Sequence, residues 1–70
     1  MLFRPNKLRE VRARYGLTAQ RLGEMLGVTK QAVTQWERGL SAPREGIAVA
    51  LYSILGDDAP LVFVDIGDKT

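Results

Sequence analysis

Residues 17–39 read LTAQRLGEMLGVTKQAVTQWERG, and the pattern within this stretch decides the fold class. It contains two segments of similar length, and each follows a threonine and ends at a glycine: Thr18 to Gly27, and Thr29 to Gly39. A threonine side chain caps the first turn of a helix, and glycine readily takes the left-handed conformation that closes one. The stretch therefore predicts two short helices joined by a tight turn, which is a helical corner.

Apolar residues recur at spacings of three and four within both helices, which predicts the side of each helix that is buried. The predicted buried side chains are, in chain order, Leu22, Met25, Leu26, Ala32, Val33 and Trp36. The opposite side of the later of these two helices, which is the third helix of the chain, has no acidic residue before Glu37. Its exposed residues are Lys30, Gln31, Thr34 and Gln35. Side chains of these types can pair with base edges in the DNA major groove, although an ordinary hydrated surface is the alternative.

Two more helices flank the corner in the predicted fold. The first begins at Pro5 or Asn6 and closes at Gly16, and the last runs from about residue 45 to residue 55 before a further glycine. Residues 61–66, LVFVDI, are mostly β-branched or aromatic, which predicts a strand. We therefore expect an all-α domain over residues 1–56 and a tail over residues 57–70 that carries one short β-strand at 61–66.

The composition limits the chemistry that this chain of 70 residues can perform, because it has neither cysteine nor histidine. Disulfides and a catalytic thiol or imidazole are excluded, and a zinc site is disfavoured because carboxylates alone seldom make one. No apolar run reaches the ~20 residues that span a bilayer, and the N-terminus lacks the apolar segment of a secretory signal. We expect a cytoplasmic protein that is not an enzyme and needs no cofactor and no metal.

Charge is divided unequally between the two parts of the chain. Residues 1–44 carry a net charge of +6 and residues 45–70 a net charge of −4, although the whole chain carries only +2. A basic surface attracts a polyanion such as DNA, and the acidic part would lie away from it. A solvated surface with chance asymmetry is the alternative interpretation of the charge pattern.

Beyond these patterns, the sequence resembles the Cro/repressor-like (XRE-like) helix-turn-helix family of bacterial and phage transcriptional regulators. The resemblance runs without a gap from about Leu8 to Gly56. It is carried by Gly16-Leu17-Thr18, Leu22-Gly23, Met25-Leu26-Gly27-Val28-Thr29, Ala32-Val33, Trp36-Glu37-Arg38-Gly39 and Pro43. It implies a compact core of four or five helices that binds double-stranded operator DNA, commonly as a dimer.

The resemblance also implies roles for individual side chains. The positions at which the family reads bases correspond to Lys30, Gln31, Thr34 and Gln35. Arg12 falls where the family's first helix carries an arginine that pairs with the glutamate at Glu37 and orients the recognition helix, residues 29–38 here. We expect the DNA backbone to be contacted by Gln20, Thr29, Arg38 and Arg44.

Two positions in the second helix depart from the family pattern. Ala19 stands where the family often has a glutamine that contacts a phosphate, so that contact depends on Gln20 or on the backbone N–H groups at the start of the helix. Gly23 replaces the usual alanine, and glycine costs about 1 kcal/mol in helix propensity.

The fourth helix suggests how two chains associate. The family's core positions map onto Ala48, Val49, Leu51, Tyr52 and Leu55. Ile47, Ala50 and Ile54 form a second apolar stripe, and no charged residue occurs from Gly46 to Gly56. Because a helix that is apolar nearly all round is expected to be buried nearly all round, we expect a partner subunit to cover this stripe.

We therefore predict a symmetric homodimer on a near-palindromic operator. The predicted interface consists of Ile47, Ala50, Ile54, Leu61, Val62, Phe63 and Val64. In this prediction the tail strands of the two chains pair with each other, because the sequence indicates no other strand and unpaired backbone groups are costly. The rival prediction is a tail that folds back over the fourth helix of its own chain.

We interpret the chain as a sequence-specific transcriptional regulator, by preference a repressor, that reads the major groove of double-stranded DNA. The sequence does not separate a repressor from an activator or from the antitoxin of a toxin–antitoxin pair. The alternative from another class is a protein-interaction module that keeps the fold without binding DNA. The amide and amino groups on the exposed side of the third helix disfavour that alternative.

Overall fold

Five α-helices and two short strands make up residues 2–64, the part of the chain that the computed structural model describes. Their order is β1 (Leu2–Phe3), α1 (Pro5–Arg14), α2 (Ala19–Leu26), α3 (Lys30–Glu37), α4 (Glu45–Leu55), α5 (Ala59–Val62) and β2 (Phe63–Val64). One 3-10 turn, Gly56–Asp58, joins α4 to α5. The predicted fold class is confirmed, and no helix in this range is long and apolar enough to cross a membrane.

The ends of α2 and α3 lie where the threonines and glycines of the sequence predict them. Thr18 Oγ1 accepts a hydrogen bond from the backbone N–H of Arg21 at 3.0 Å. Thr29 Oγ1 accepts one from the backbone N–H of Ala32 at 3.1 Å. Gly27, with a φ of 76°, closes α2 in the left-handed conformation. Since the first N–H groups of a helix have no partner within it, these caps determine the boundaries locally.

One hydrophobic core holds the helices together. Its side chains with no exposure are Leu8, Val11, Leu22, Val33, Leu51, Leu55, Ala59 and Val62. They come from all five helices, so each helix is stabilised by packing against the others rather than by its own short length. The prediction that Met25 is buried is wrong, because its side chain is 43% exposed. The inner side of α2 is formed by Ala19, Leu22 and Leu26, and Met25 lies about a third of a turn away from its centre.

The described part of the tail, residues 57–64, folds back onto its own chain. Residues 59–62 form α5, so the predicted strand over residues 61–66 is wrong at 61 and 62, whereas residues 65 and 66 lie outside the described range. β2 pairs antiparallel with β1, with Phe3 opposite Phe63. The expectation that the sequence contains no other strand is therefore wrong, and with it the reason given for pairing the tail strands of two chains. The β-branched composition of this segment favours a strand. The burial of Ala59 and Val62 in the core stabilises a helix instead, and this packing outweighs the strand propensity at positions 61 and 62.

The outer side of α4 also differs from the prediction. Ile47 and Ile54 are half-buried against the core, and only Ala50 of the predicted second stripe is exposed. Val49 and Tyr52, which were predicted in the core, are 63% and 42% exposed. The helix packs inward through Ala48, Leu51 and Leu55, which turns Val49 and Tyr52 outward.

Burial in the core of the same chain removes two residues from the predicted dimer interface. Val62 and Phe63 have 0% and 5% exposure and belong to the core of their own chain. Leu61 remains exposed. A second chain could reach Val62 and Phe63 only by taking this core apart, so these two side chains are removed from the predicted interface.

Candidate nucleic-acid interface

The turn between α2 and α3 sets the angle between the two helices, and it passes very close to Gly23. The backbone N–H of Val28 donates a hydrogen bond to the Gly23 carbonyl at 2.8 Å. A Cβ atom added to Gly23 would lie 2.8 Å from the Val28 carbonyl oxygen and 3.2 Å from the Thr29 carbonyl oxygen. Both neighbours are backbone atoms, so the position depends on the absence of a side chain.

Replacing Gly23 with alanine is expected to lower the free energy of unfolding by about 1 kcal/mol. Overpacking against backbone costs about 1–3 kcal/mol, and the better helix propensity of alanine returns about 1 kcal/mol. The control is Gly46→Ala, since Gly46 lies in α4 with no atom near the added Cβ. This variant is expected to be more stable by about 0.5–1 kcal/mol. Urea unfolding of both variants measures the difference, and a stabilised Gly23→Ala protein would show that the turn moves without cost.

A bidentate ion pair joins α1 to the end of α3. Arg12 donates through Nη2 to Glu37 Oε1 at 3.0 Å and through Nε to the second carboxylate oxygen, while its Nη1 donates to the Leu17 carbonyl at 2.8 Å. The two side chains are only 16% and 8% exposed. The guanidinium therefore links three segments of the chain in a place with little water, and it holds the C-terminal end of α3 against α1.

The predicted base-reading side chains do lie on one face of α3. Lys30, Gln31 and Gln35 are exposed, and Thr34 is half-buried. The Thr34 hydroxyl donates to the Gln31 carbonyl at 2.9 Å, so its proton is already used within the helix. What Thr34 offers outward is mainly its methyl group, whereas the two glutamines and the lysine have free hydrogen-bonding groups.

Of the residues predicted to contact the DNA backbone, Arg38 and Arg44 lie beside this face, in clefts that also contain Thr34 and Gln35. Gln20, Thr29, Arg38 and Arg44 are all exposed. Thr29 Oγ1 is the acceptor of the α3 cap, but its hydroxyl proton is not used in the described hydrogen bonds. Within residues 2–64, neither Arg38 nor Arg44 forms a salt bridge, so both guanidinium groups remain available to anions.

Two clefts flank the second half of α3. The larger, of about 600 Å³, lies between α3 and the loop before α4, and its polar lining includes Gln35, Ser41 and Arg44. The smaller, of about 280 Å³, lies between α3 and α1. It is lined by Arg9, Arg12, Thr34, Glu37 and Arg38. The sequence analysis did not include Arg9 among the residues expected to contact the DNA backbone. Its place one turn before Arg12 indicates that both side chains lie on the same side of α1.

Comparison with protein families gives a match over residues 8–56 to the model described as helix-turn-helix. A protein of Pyrococcus furiosus, named among the HTH-type transcriptional regulatory proteins, is 39% identical over 56 residues, which are 80% of this chain and 17% of that protein. An uncharacterized HTH-type transcriptional regulator of Bacillus subtilis, YgzD, is 47% identical over 38 residues, or 54% of this chain and 58% of that protein. The chain thus spans less than two thirds of either relative.

A solved structure is similar over almost the whole fold. The P22 c2 repressor protein, crystallised in complex with a synthetic operator, superposes with a TM-score of 0.77 at 27% sequence identity. The similarity covers 93% of this chain and 100% of the repressor chain. The likeness therefore includes the helical core as well as the corner of α2 and α3.

Proposed function

The chain belongs to the Cro/repressor-like (XRE-like) helix-turn-helix family, and from this premise we propose that it is a transcriptional regulator that binds a specific operator sequence in double-stranded DNA. The observation that carries the proposal is the exposed face of α3, which presents Lys30, Gln31 and Gln35 together and no carboxylate. Glu37, the one acidic residue of α3, is held by Arg12 and is turned away from solvent. The P22 c2 repressor, which has a similar fold, was crystallised in complex with a synthetic operator, and this supports DNA binding by the domain.

The size of α3 suits the major groove of B-DNA. A helix with its side chains is about 10–12 Å across, and the groove is about 12 Å wide. The amide of Gln31 or Gln35 can pair with adenine, Lys30 with guanine, and the Thr34 methyl group with thymine. Arg38 and Arg44 follow α3 directly and supply positive charge for phosphates. In this role the domain is a binding module and not an enzyme.

Replacing Gln31 with alanine is expected to weaken binding to the best operator by about 1–3 kcal/mol and to relax the preference at one or two base pairs. The reason is that alanine cannot make the paired hydrogen bonds of an amide. The best operator is first obtained by selecting bound sequences from a random duplex pool, and the selection is then repeated with the variant.

Gln20→Ala is the matched control for this experiment, since it removes the same amide from the exposed side of α2. It is expected to weaken all duplexes alike and to leave the selected sequence unchanged, because backbone contacts carry no sequence information. An unchanged preference in Gln31→Ala would remove Gln31 from base recognition. Failure of the wild-type chain to select any duplex would favour the protein-interaction module instead.

We further propose that the regulator acts as a homodimer through the exposed side of α4. Val49 and Tyr52 line a shallow apolar groove there, and the apolar surface continues from Val49 to Phe3. No charged residue occurs from Gly46 to Gly56, so two copies of this helix can meet across a two-fold axis without repulsion. Two copies would place their recognition helices about one DNA turn apart, ~34 Å, on a near-palindromic operator.

The intact chain is expected to sediment as a dimer at tens of micromolar, and Val49→Lys as a monomer. A lysine at position 49 is tolerated by the isolated domain because Val49 is 63% exposed, but it puts two like charges together at the two-fold axis. Leu40→Lys is the control, since Leu40 is equally exposed, at 65%, but lies in the loop after α3. A monomeric wild-type chain, or a Val49→Lys protein that remains dimeric, would contradict this interface.

A further inference from the structure

The smaller cleft beside α3 brings Arg9, which has no role in the proposed function, next to Arg38, which is already expected to contact the DNA backbone. Arg9 from α1 and Arg38 from the end of α3 both line it, together with Thr34 from the exposed face of α3. The remaining lining is the Arg12–Glu37 pair. Because the Glu37 carboxylate is bound by the Arg12 guanidinium through both oxygens, it offers little net negative charge to the cleft.

The basic side chains of α1 differ in whether a carboxylate lies close enough to pair with them. Lys7 and Arg14 both pair with Glu10, at 3.5 and 3.4 Å, and Arg14 also lies 3.7 Å from Asp58. Arg9 forms no salt bridge with any residue in the range 2–64, and neither does Arg38. Two uncompensated guanidinium groups that share one cleft repel each other, and an anion bound between them removes that repulsion.

The two clefts lie on opposite sides of α3. Ala32 and Trp36, one turn apart, face the larger cleft, whereas Thr34 and Glu37, one turn apart on the other side, face the smaller one. The base-reading face lies between them. A helix inserted in the major groove has one sugar–phosphate backbone of the DNA along each of its sides. If α3 binds in this way, each cleft lies next to one of the two DNA backbones.

We propose that the smaller cleft binds a backbone phosphate of the operator through the guanidinium groups of Arg9 and Arg38. The larger cleft takes a phosphate of the opposite strand through Arg44. This proposal rests on the proposed function and adds to it a specific anchor on α1. Guanidinium groups form paired hydrogen bonds with phosphate oxygens, which gives the anchor a defined geometry as well as charge.

The test compares Arg9→Gln with Arg14→Gln, since both variants remove one positive charge from an exposed arginine of α1. Affinity for the selected operator is measured between ~50 and ~200 mM salt, a range over which phosphate contacts change binding steeply. Arg9→Gln is expected to make the slope of log K against log salt shallower by about one unit, for specific and non-specific duplexes alike. Arg14→Gln is expected to change the slope much less, because Arg14 is already paired with carboxylates. Thermal unfolding confirms that both variants are folded.

A second measurement locates the contact on the DNA. Operators that carry a neutral methylphosphonate at single positions are expected to lose affinity for the wild-type chain at one phosphate in each half-site. Arg9→Gln should lose less affinity than the wild-type chain at that same phosphate, because only Arg38 then contacts it, and should lose as much as the wild-type chain at the other phosphates. Equal salt slopes for Arg9→Gln and Arg14→Gln, or an unchanged methylphosphonate pattern in Arg9→Gln, would overturn the proposal while leaving operator binding intact. A wild-type chain that binds no duplex would overturn the proposed function as well.

Discussion

Glu37→Ala is expected to lower the free energy of unfolding by about 3 kcal/mol, the low end of the cost of removing one partner of a buried ion pair, because these two side chains are largely but not fully shielded from water. The Arg12 guanidinium would keep its bond to the Leu17 carbonyl but would lose both carboxylate oxygens in a region with little water. A domain of this size rarely has more than ~3–5 kcal/mol of stability from its core. The variant is therefore expected to be only marginally stable at 25 °C, with a much lower urea midpoint, which urea unfolding followed by circular dichroism measures.

Glu10→Ala is the matched control for this prediction. Glu10 also forms two salt bridges, with Lys7 and Arg14, but its side chain is 54% exposed, so its removal is expected to cost less than about 1 kcal/mol. Replacing both members of the buried pair by apolar residues, as in R12M/E37L, should recover most of the stability, because no unpaired charge is then left. If Glu37→Ala were no more costly than Glu10→Ala, the pair would not hold α1 to α3.

Phe63→Ala is expected to cost about 3–4 kcal/mol, since large-to-small substitutions of buried aromatic residues leave a cavity as well as losing apolar contact. Phe63 is 5% exposed, and its ring centroid lies 5.5 Å from that of Phe3 and 6.2 Å from that of Tyr52. Through these contacts Phe63, in β2, connects β1 to α4. The loss is expected as a lower urea midpoint in the chain of 70 residues.

Leu61→Ala is the control within the same segment, because Leu61 is 41% exposed and its truncation is expected to cost well under half as much. Equal losses in the two variants would mean that the tail is not part of the core. The same burial means that a chain shortened after Asp58 would lose Ala59, Val62 and Phe63. Such a truncation would unfold the domain, so it cannot test dimerisation, and single surface substitutions such as Val49→Lys are needed instead.

The ends of the helices and the exposed face of α3 could be predicted from the sequence because both depend on neighbouring residues. The side-chain caps at Thr18 and Thr29 act within one turn of the chain, and so does the left-handed Gly27. The recognition face follows from the helical period once the buried position of Val33 is known. The Arg12–Glu37 pair was implied by resemblance to the family, but its low exposure, which makes it costly to break, came from the structure.

What only the tertiary structure decided concerns segments that are far apart in the chain. β1 was not predicted, because two residues carry no periodic signal and Leu2–Phe3 becomes a strand only by pairing with residues 63 and 64. The composition of the tail favoured a strand, yet Val62 lies in a helix whose buried contacts outweigh that propensity. Val49 turned out to be exposed, and Arg9 lies in the same cleft as Arg38. These features depend on how α1, α3, α4 and the tail pack together, and that packing is a property of the whole core that no single stretch of sequence contains.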